Sequence, residues 1–152
     1  MNNVKFINSI EASLIDNKLE GLKWITPNKK NKTQVIEEVE LIKQSIEVLK
    51  KDKKEKMILT NYSFYSVLLN SSQNSISRWF PGDNSAFPDS DSFFFTNYKN
   101  FFSKIINNKK IRTIYLLADI DSKNLLMYFS EDCFSIEPIN RFITKYEIKD
   151  KC

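Results

Sequence analysis

Six apolar residues impose the firmest constraint on how this chain folds. Val35, Ile36, Val39, Ile42, Ile46 and Leu49 recur in steps of three and four between positions 33 and 54. That spacing draws one apolar stripe along an amphipathic helix. Thr33 stands where a helix cap belongs, and Glu37 and Glu38 fall in the first turns, where the helix dipole favours acids. The basic run "KKDKKEK" suits the opposite end. Such a stripe has to lie against a second apolar surface, and the sequence offers one nearby. "MILTN" (57–61) and "IRTIYLLAD" (111–119) are compact apolar runs of strand length, the second rich in β-branched and aromatic residues.

Helical patterns separate these two runs. "SFYSVLLN" (63–70) reads as a short helix with Ser63 as its cap. Residues 93–108 read as a longer one, capped by Ser92 or Asp91, with Phe94, Tyr98, Phe101, Phe102, Ile105 and Ile106 as its apolar face. "SKNLLMYF" is a further short helix. "CFSIEPINRFITKYEIK" is an extended segment around Cys133 and a final strand near Tyr146. Earlier in the chain, "VKFINSI" and "LKWIT" are brief strands, the latter closed by Pro27, which favours extended backbone before it. The alternation predicts an α/β fold: a small three-layer Rossmann-like domain whose mainly parallel sheet is flanked by helices. A chain of 152 residues forms one domain, 1–152, with 1–21 as a peripheral N-terminal segment.

Composition removes several functions. No apolar run approaches the roughly 20 residues that span a bilayer, and "MNNVKFINSIEASLID" lacks the apolar core of a signal peptide. The expectation is a soluble chain, or a soluble piece of a larger one. The net charge of +4 comes almost wholly from lysines that alternate with acids, as in "EEVELIKQSIEVLKKDKKEK". That pattern is a solvated helix face, so nucleic acid is not an expected partner. Histidine is absent, which removes the commonest general base and transition-metal ligand. Only two glycines occur, so neither G-x-G-x-x-G nor a P-loop can be assembled. No serine or cysteine has a histidine to activate it, and covalent catalysis is not expected.

The most unusual stretch is "ISRWFPGDNSAFPDSD" (76–91). Pro81 and Gly82 suit the central positions of a type II turn. Around it stand Arg78, Trp79, Phe80, Asp83 and Asn84. An aromatic face beside a carboxylate and an amide suits a sugar ring. The competing reading is a self-packed loop in which Trp79 and Phe80 plug the core. In parallel sheets ligands bind beyond the carboxyl ends of the strands, which brings Asn61, Tyr62 and Asp119 to one edge with this loop above it. "LADID" places Asp119 and Asp121 at a strand end, where they either hold a divalent metal or cap the following helix. Cys133 and Cys152 form either a disulfide worth on the order of 3 kcal/mol or a buried residue and a loose terminal thiol.

"LKWITP", "EKMILTNYSFYSVLL", "RWFPGDNSAFP" and "TNYKNFFSKIINNKKIRTIYLL", in that order, resemble the soluble C-terminal region of bacterial multi-spanning membrane proteins. These are the dolichyl-phosphate-mannose-type, GT-C-like glycosyltransferases and their relatives. The likeness runs over roughly 14–152. It implies an accessory domain on the extracytoplasmic, periplasmic face of the inner membrane; without it the expected location is cytoplasmic. The implied partners are the membrane-embedded part of the same or a parent polypeptide and a glycan or polyprenyl-phosphate sugar. Asn61, Tyr62, Arg78, Trp79 and Asp83 carry over as a pocket edge with no catalytic role, and the Cys133–Cys152 bridge is favoured. No membrane span or catalytic acidic loop is present, so transferase activity by this chain alone is not expected. The alternatives are a stand-alone enzyme for metal-dependent phosphoryl transfer or hydrolysis through its strand-end aspartates, and a protein-interaction module.

Overall fold

The computed structural model describes residues 9–25, 35–77, 86–117 and 120–150. The described strands and α-helices are β1 (Ile10–Glu11), β2 (Lys23–Trp24), α1 (Val35–Lys51), β3 (Lys56–Leu59), α2 (Tyr65–Leu69), α3 (Phe95–Asn108), β4 (Thr113–Leu117), α4 (Ser122–Leu126), β5 (Phe134–Asn140) and β6 (Ile143–Ile148). β1 and β2 make a two-stranded antiparallel pair, and the other four strands form one sheet in the order β3-β4-β6-β5.

That order corrects the expected mainly parallel, Rossmann-like sheet. Only β3 and β4 pair in parallel, with Leu59 opposite Leu116. β6 runs antiparallel to both β4 and β5. The cause lies in the last segment of the chain. Only Arg141 and Phe142 separate β5 from β6, and a parallel return needs a crossover of a dozen or more residues. The Asn140 carboxamide closes this turn, accepting from Phe142 N at 2.8 Å and Ile143 N at 3.1 Å. β6 therefore slots antiparallel between β4 and β5. Pro138, which has no ladder donor, sits beside a register irregularity on the edge strand β5.

The pleat sends alternate residues to two apolar cores. Ile58, Tyr115, Leu117 and Ile143 face α1, whose Val39, Ile42, Ile46 and Leu49 carry the stripe. Tyr65 and Leu68 of α2 join this core, as do Ala12, Ile15 and Leu19 from the N-terminal segment. Met57, Leu59, Ile114, Leu116 and Tyr146 face the other way, against Phe102 of α3, Leu125 of α4 and Tyr128. Ile36 falls off the α1 stripe and is exposed. On α3, Phe95 takes a packed position that the sequence pattern assigned to Phe94, while Phe94 and Phe101 face outward.

Candidate functional site

The parallel pair β3–β4 carries its carboxyl ends to one edge of the sheet, and α1, running opposite to β3, brings its first turn to the same edge. Asn61 and Tyr62 follow β3 there, as predicted from the sequence. Tyr62 belongs to an aromatic group that the sequence reading did not assemble. Its ring lies 5.5 Å from Trp24, 5.5 Å from Phe64 and 6.0 Å from Phe142. Trp24 meets Phe64 edge-on at 5.3 Å. The four rings come from β2, the end of β3, the start of α2 and the β5–β6 turn, so one polar anchor holding them would tie four elements together.

Two of the four rings, Tyr62 and Trp24, are held by Glu38, buried in the first turn of α1. Its Oε1 accepts from the Tyr62 hydroxyl at 2.5 Å, and its Oε2 accepts from Trp24 Nε1 at 3.2 Å. In the sequence Glu38 reads as a dipole-complementing acid. The signal that would have found it is its place on the apolar stripe, three residues after Val35 and four before Ile42. An acid on that stripe needs buried donors. Beneath it, Tyr65 and Ser45 hydroxyls share a 2.5 Å hydrogen bond, and burial raises the Tyr65 phenol well above its ordinary pKa.

Next to Tyr62 a groove of ≈ 390 Å³ opens beyond the outer edge of β3. Its described lining is Ser63, Ser66, Ser72, Gln73, Asn74, Ser75 and Ser77, with no titratable side chain among them. The segment that forms its floor is fastened to the edge strand: Ile58 N donates to Gln73 O at 2.8 Å, and Asn74 Nδ2 to Lys56 O at 2.9 Å. Asn74 makes the bend with φ of 52°, a left-handed conformation that asparagine tolerates better than most residues. Gln73 Nε2 donates to Tyr62 O at 3.1 Å, coupling the groove to the aromatic group. Gln73 Oε1 and Asn74 Oδ1 have no donor among the described residues, and the serine hydroxyls add further donors and acceptors.

Ser77 is the last described residue before position 86 and already belongs to the predicted 76–91 loop. Arg78, Trp79, Phe80, Asp83 and Asn84 lie outside the described residues, as does the choice between a Trp79 plug and a Trp79 platform. The return of that loop is described and is firmly held. Ala86 and Phe87 are buried. The Tyr98 hydroxyl donates to Ala86 O, and the Tyr128 hydroxyl to Pro88 O at 2.7 Å. Burial, and then the nearby Asp89 charge, push the Tyr128 phenol up to about 12.

Asp121 is the N-cap of α4, its Oδ1 accepting from Lys123 N at 2.9 Å. Asp119, its partner in the metal reading, lies outside the described residues, which contain no group of three His, Cys, Asp or Glu side chains placed to hold a metal. Cys133 is disulfide-bonded; Cys152, the other cysteine of the chain, lies outside the described residues. Among those residues no helix is long and apolar enough to cross a membrane. Comparison with protein-family models, with curated proteins and with solved structures finds no match.

Proposed function

We propose that this chain is a non-catalytic binding domain that takes a sugar, or a glycan with a free polyhydroxylated ring, in the groove between Ser63 and Ser77. One observation carries the reading: among the described residues, the groove is lined by hydroxyl and carboxamide side chains. Such groups donate to and accept from ring hydroxyls, and none of them can serve as a general acid or base near neutral pH. Its volume lies within the range of about 300–1,000 Å³ usual for small-ligand sites. The Tyr62 aromatic group at one end supports the Gln73 carboxamide through the Tyr62 carbonyl.

The wider assignment, an accessory domain on the extracytoplasmic face beside a membrane-embedded glycosyltransferase, is part of this proposal and rests on the motif resemblance. Groove and assignment separate experimentally. Titration of the ¹⁵N-labelled chain with glucose, maltotriose and chitotriose is expected to shift the 63–77 amides, with dissociation constants of ~1–10 mM for single rings. Replacing Ser66 and Gln73 by alanine together should abolish those shifts while leaving the core resonances in place. No shift at 63–77 with any of the three sugars would refute the binding site.

A further inference from the structure

A second groove, of ≈ 460 Å³, adjoins the first, and Ser72 and Asn74 line both. Its chemistry is different. Among the described lining residues, Lys50, Lys53, Lys54, Lys56 and Lys109 are set against Asp52 and Glu55 as acids, an excess of three positive charges. The acids are already engaged. Asp52 accepts from Lys54 N at 3.0 Å and from the Tyr115 hydroxyl at 2.9 Å, and Glu55 accepts from Asn74 Nδ2 at 3.4 Å. Three lysines are also spoken for: Lys54 pairs with Glu147 at 3.0 Å, Lys56 donates to the Asp52 and Lys54 carbonyls, and Lys50 stands 3.8 Å from Asp16. Lys53 and Lys109 make no ion pair with a described residue. They reach the groove from two different elements, the α1–β3 connection and the end of α3.

We propose that the two grooves form one site for an anionic sugar, the ring seated among the serines and a phosphate or carboxylate substituent held by Lys53 and Lys109. This rests on the sugar-binding reading above and specifies its ligand class. The shared wall at Ser72 and Asn74 joins a neutral hydroxyl-matching compartment to a cationic one, so a ligand with both characters gains from each. A helix C-terminus alone would account for lysines on α1. Lys109 likewise closes the C-terminus of α3; what the separate dipoles leave unexplained is that two helix ends open onto one groove.

Titrations of the intact chain with glucose, glucose 6-phosphate, glucuronate and inorganic phosphate, at low and at physiological salt, test this. Glucose 6-phosphate or glucuronate should bind at least about tenfold more tightly than glucose at low salt, and their order identifies the preferred anion. The double variant Lys53→Gln/Lys109→Gln, both at exposed positions, should remove about that tenfold gain and leave glucose binding unchanged. Glucose binding at 63–77 with no gain from either anion would overturn the anionic class and leave the sugar-binding reading standing. Inorganic phosphate binding as tightly as glucose 6-phosphate, insensitive to Ser66→Ala/Gln73→Ala, would overturn the shared site, and the absence of any glucose shift at 63–77 would overturn the sugar-binding reading as well.

Discussion

Glu38→Ala should be among the most damaging single substitutions outside the apolar core, although position 38 is an acid in the first turn of a helix. The side chain is 7% exposed and receives two donors, the Tyr62 hydroxyl and Trp24 Nε1. A hydrogen bond to a charged acceptor contributes roughly 1.5–3 kcal/mol. Both donors are half-buried, so water partly replaces the lost acceptor, and the expected cost is about 2–3 kcal/mol. With a urea slope of about 2 kcal/mol/M, the unfolding midpoint falls by about 1–1.5 M. Glu37→Ala is the internal control. It removes the neighbouring acid, with the same helix dipole and the same gain in propensity, and loses only the exposed pair with Arg141; its cost should stay within about 0.5 kcal/mol. Double-mutant cycles with Tyr62→Phe and Trp24→Phe should each show about 1 kcal/mol of coupling to Glu38. Equal midpoints for the Glu38 and Glu37 variants would refute the buried-anchor account, and so would absent coupling.

Phe102→Ala empties a fully buried position packed on Tyr128 and Phe129 and should cost about 3–5 kcal/mol in equilibrium unfolding; a loss under 1 kcal/mol would show that α3 does not seal that core. Tyr65, Tyr98, Tyr115 and Tyr128 all have phenols held up chiefly by burial. They stay protonated in the folded chain while the unfolded chain ionises from about pH 10, so the folded state binds more protons and stability falls as pH rises above 10. Absorbance at 295 nm should then show these phenolates appearing together with loss of circular dichroism, and ionisation well before unfolding would contradict the burial. The Glu147 carboxyl is held below its ordinary pKa, first by the Lys54 hydrogen bond and then by Lys145. Its stabilisation is present above about pH 4.5 and is lost as pH falls through the depressed value, so the deficit of Glu147→Gln at pH 7 should close in acid urea melts.

The helix on the Val39–Leu49 stripe, the two buried runs that became β3 and β4, and the place of Asn61 and Tyr62 beyond a strand end all follow from local patterns. Periodicity reports which face of an element is apolar, and that information survives without knowing the partner. Strand direction does not survive in the same way. "FSIEPIN" and "ITKYEI" are extended in either topology, and the short Asn140 turn, read as part of one long segment, is what makes β6 antiparallel. The candidate site divides likewise. Each serine from Ser63 to Ser77 is an ordinary turn or cap residue on its own, and becomes part of a groove only because Gln73 and Asn74 are pinned to the edge of β3. Glu38 reads as a dipole partner until Trp24 and Tyr62, 14 and 24 positions away, are brought to it. The sequence alone determined where the main helices and buried strands lie and the Val39–Leu49 stripe of α1, because these depend on spacing along the chain. Only the tertiary structure decided the sheet order, the buried carboxylate and the paired grooves, because each depends on residues that spacing does not connect.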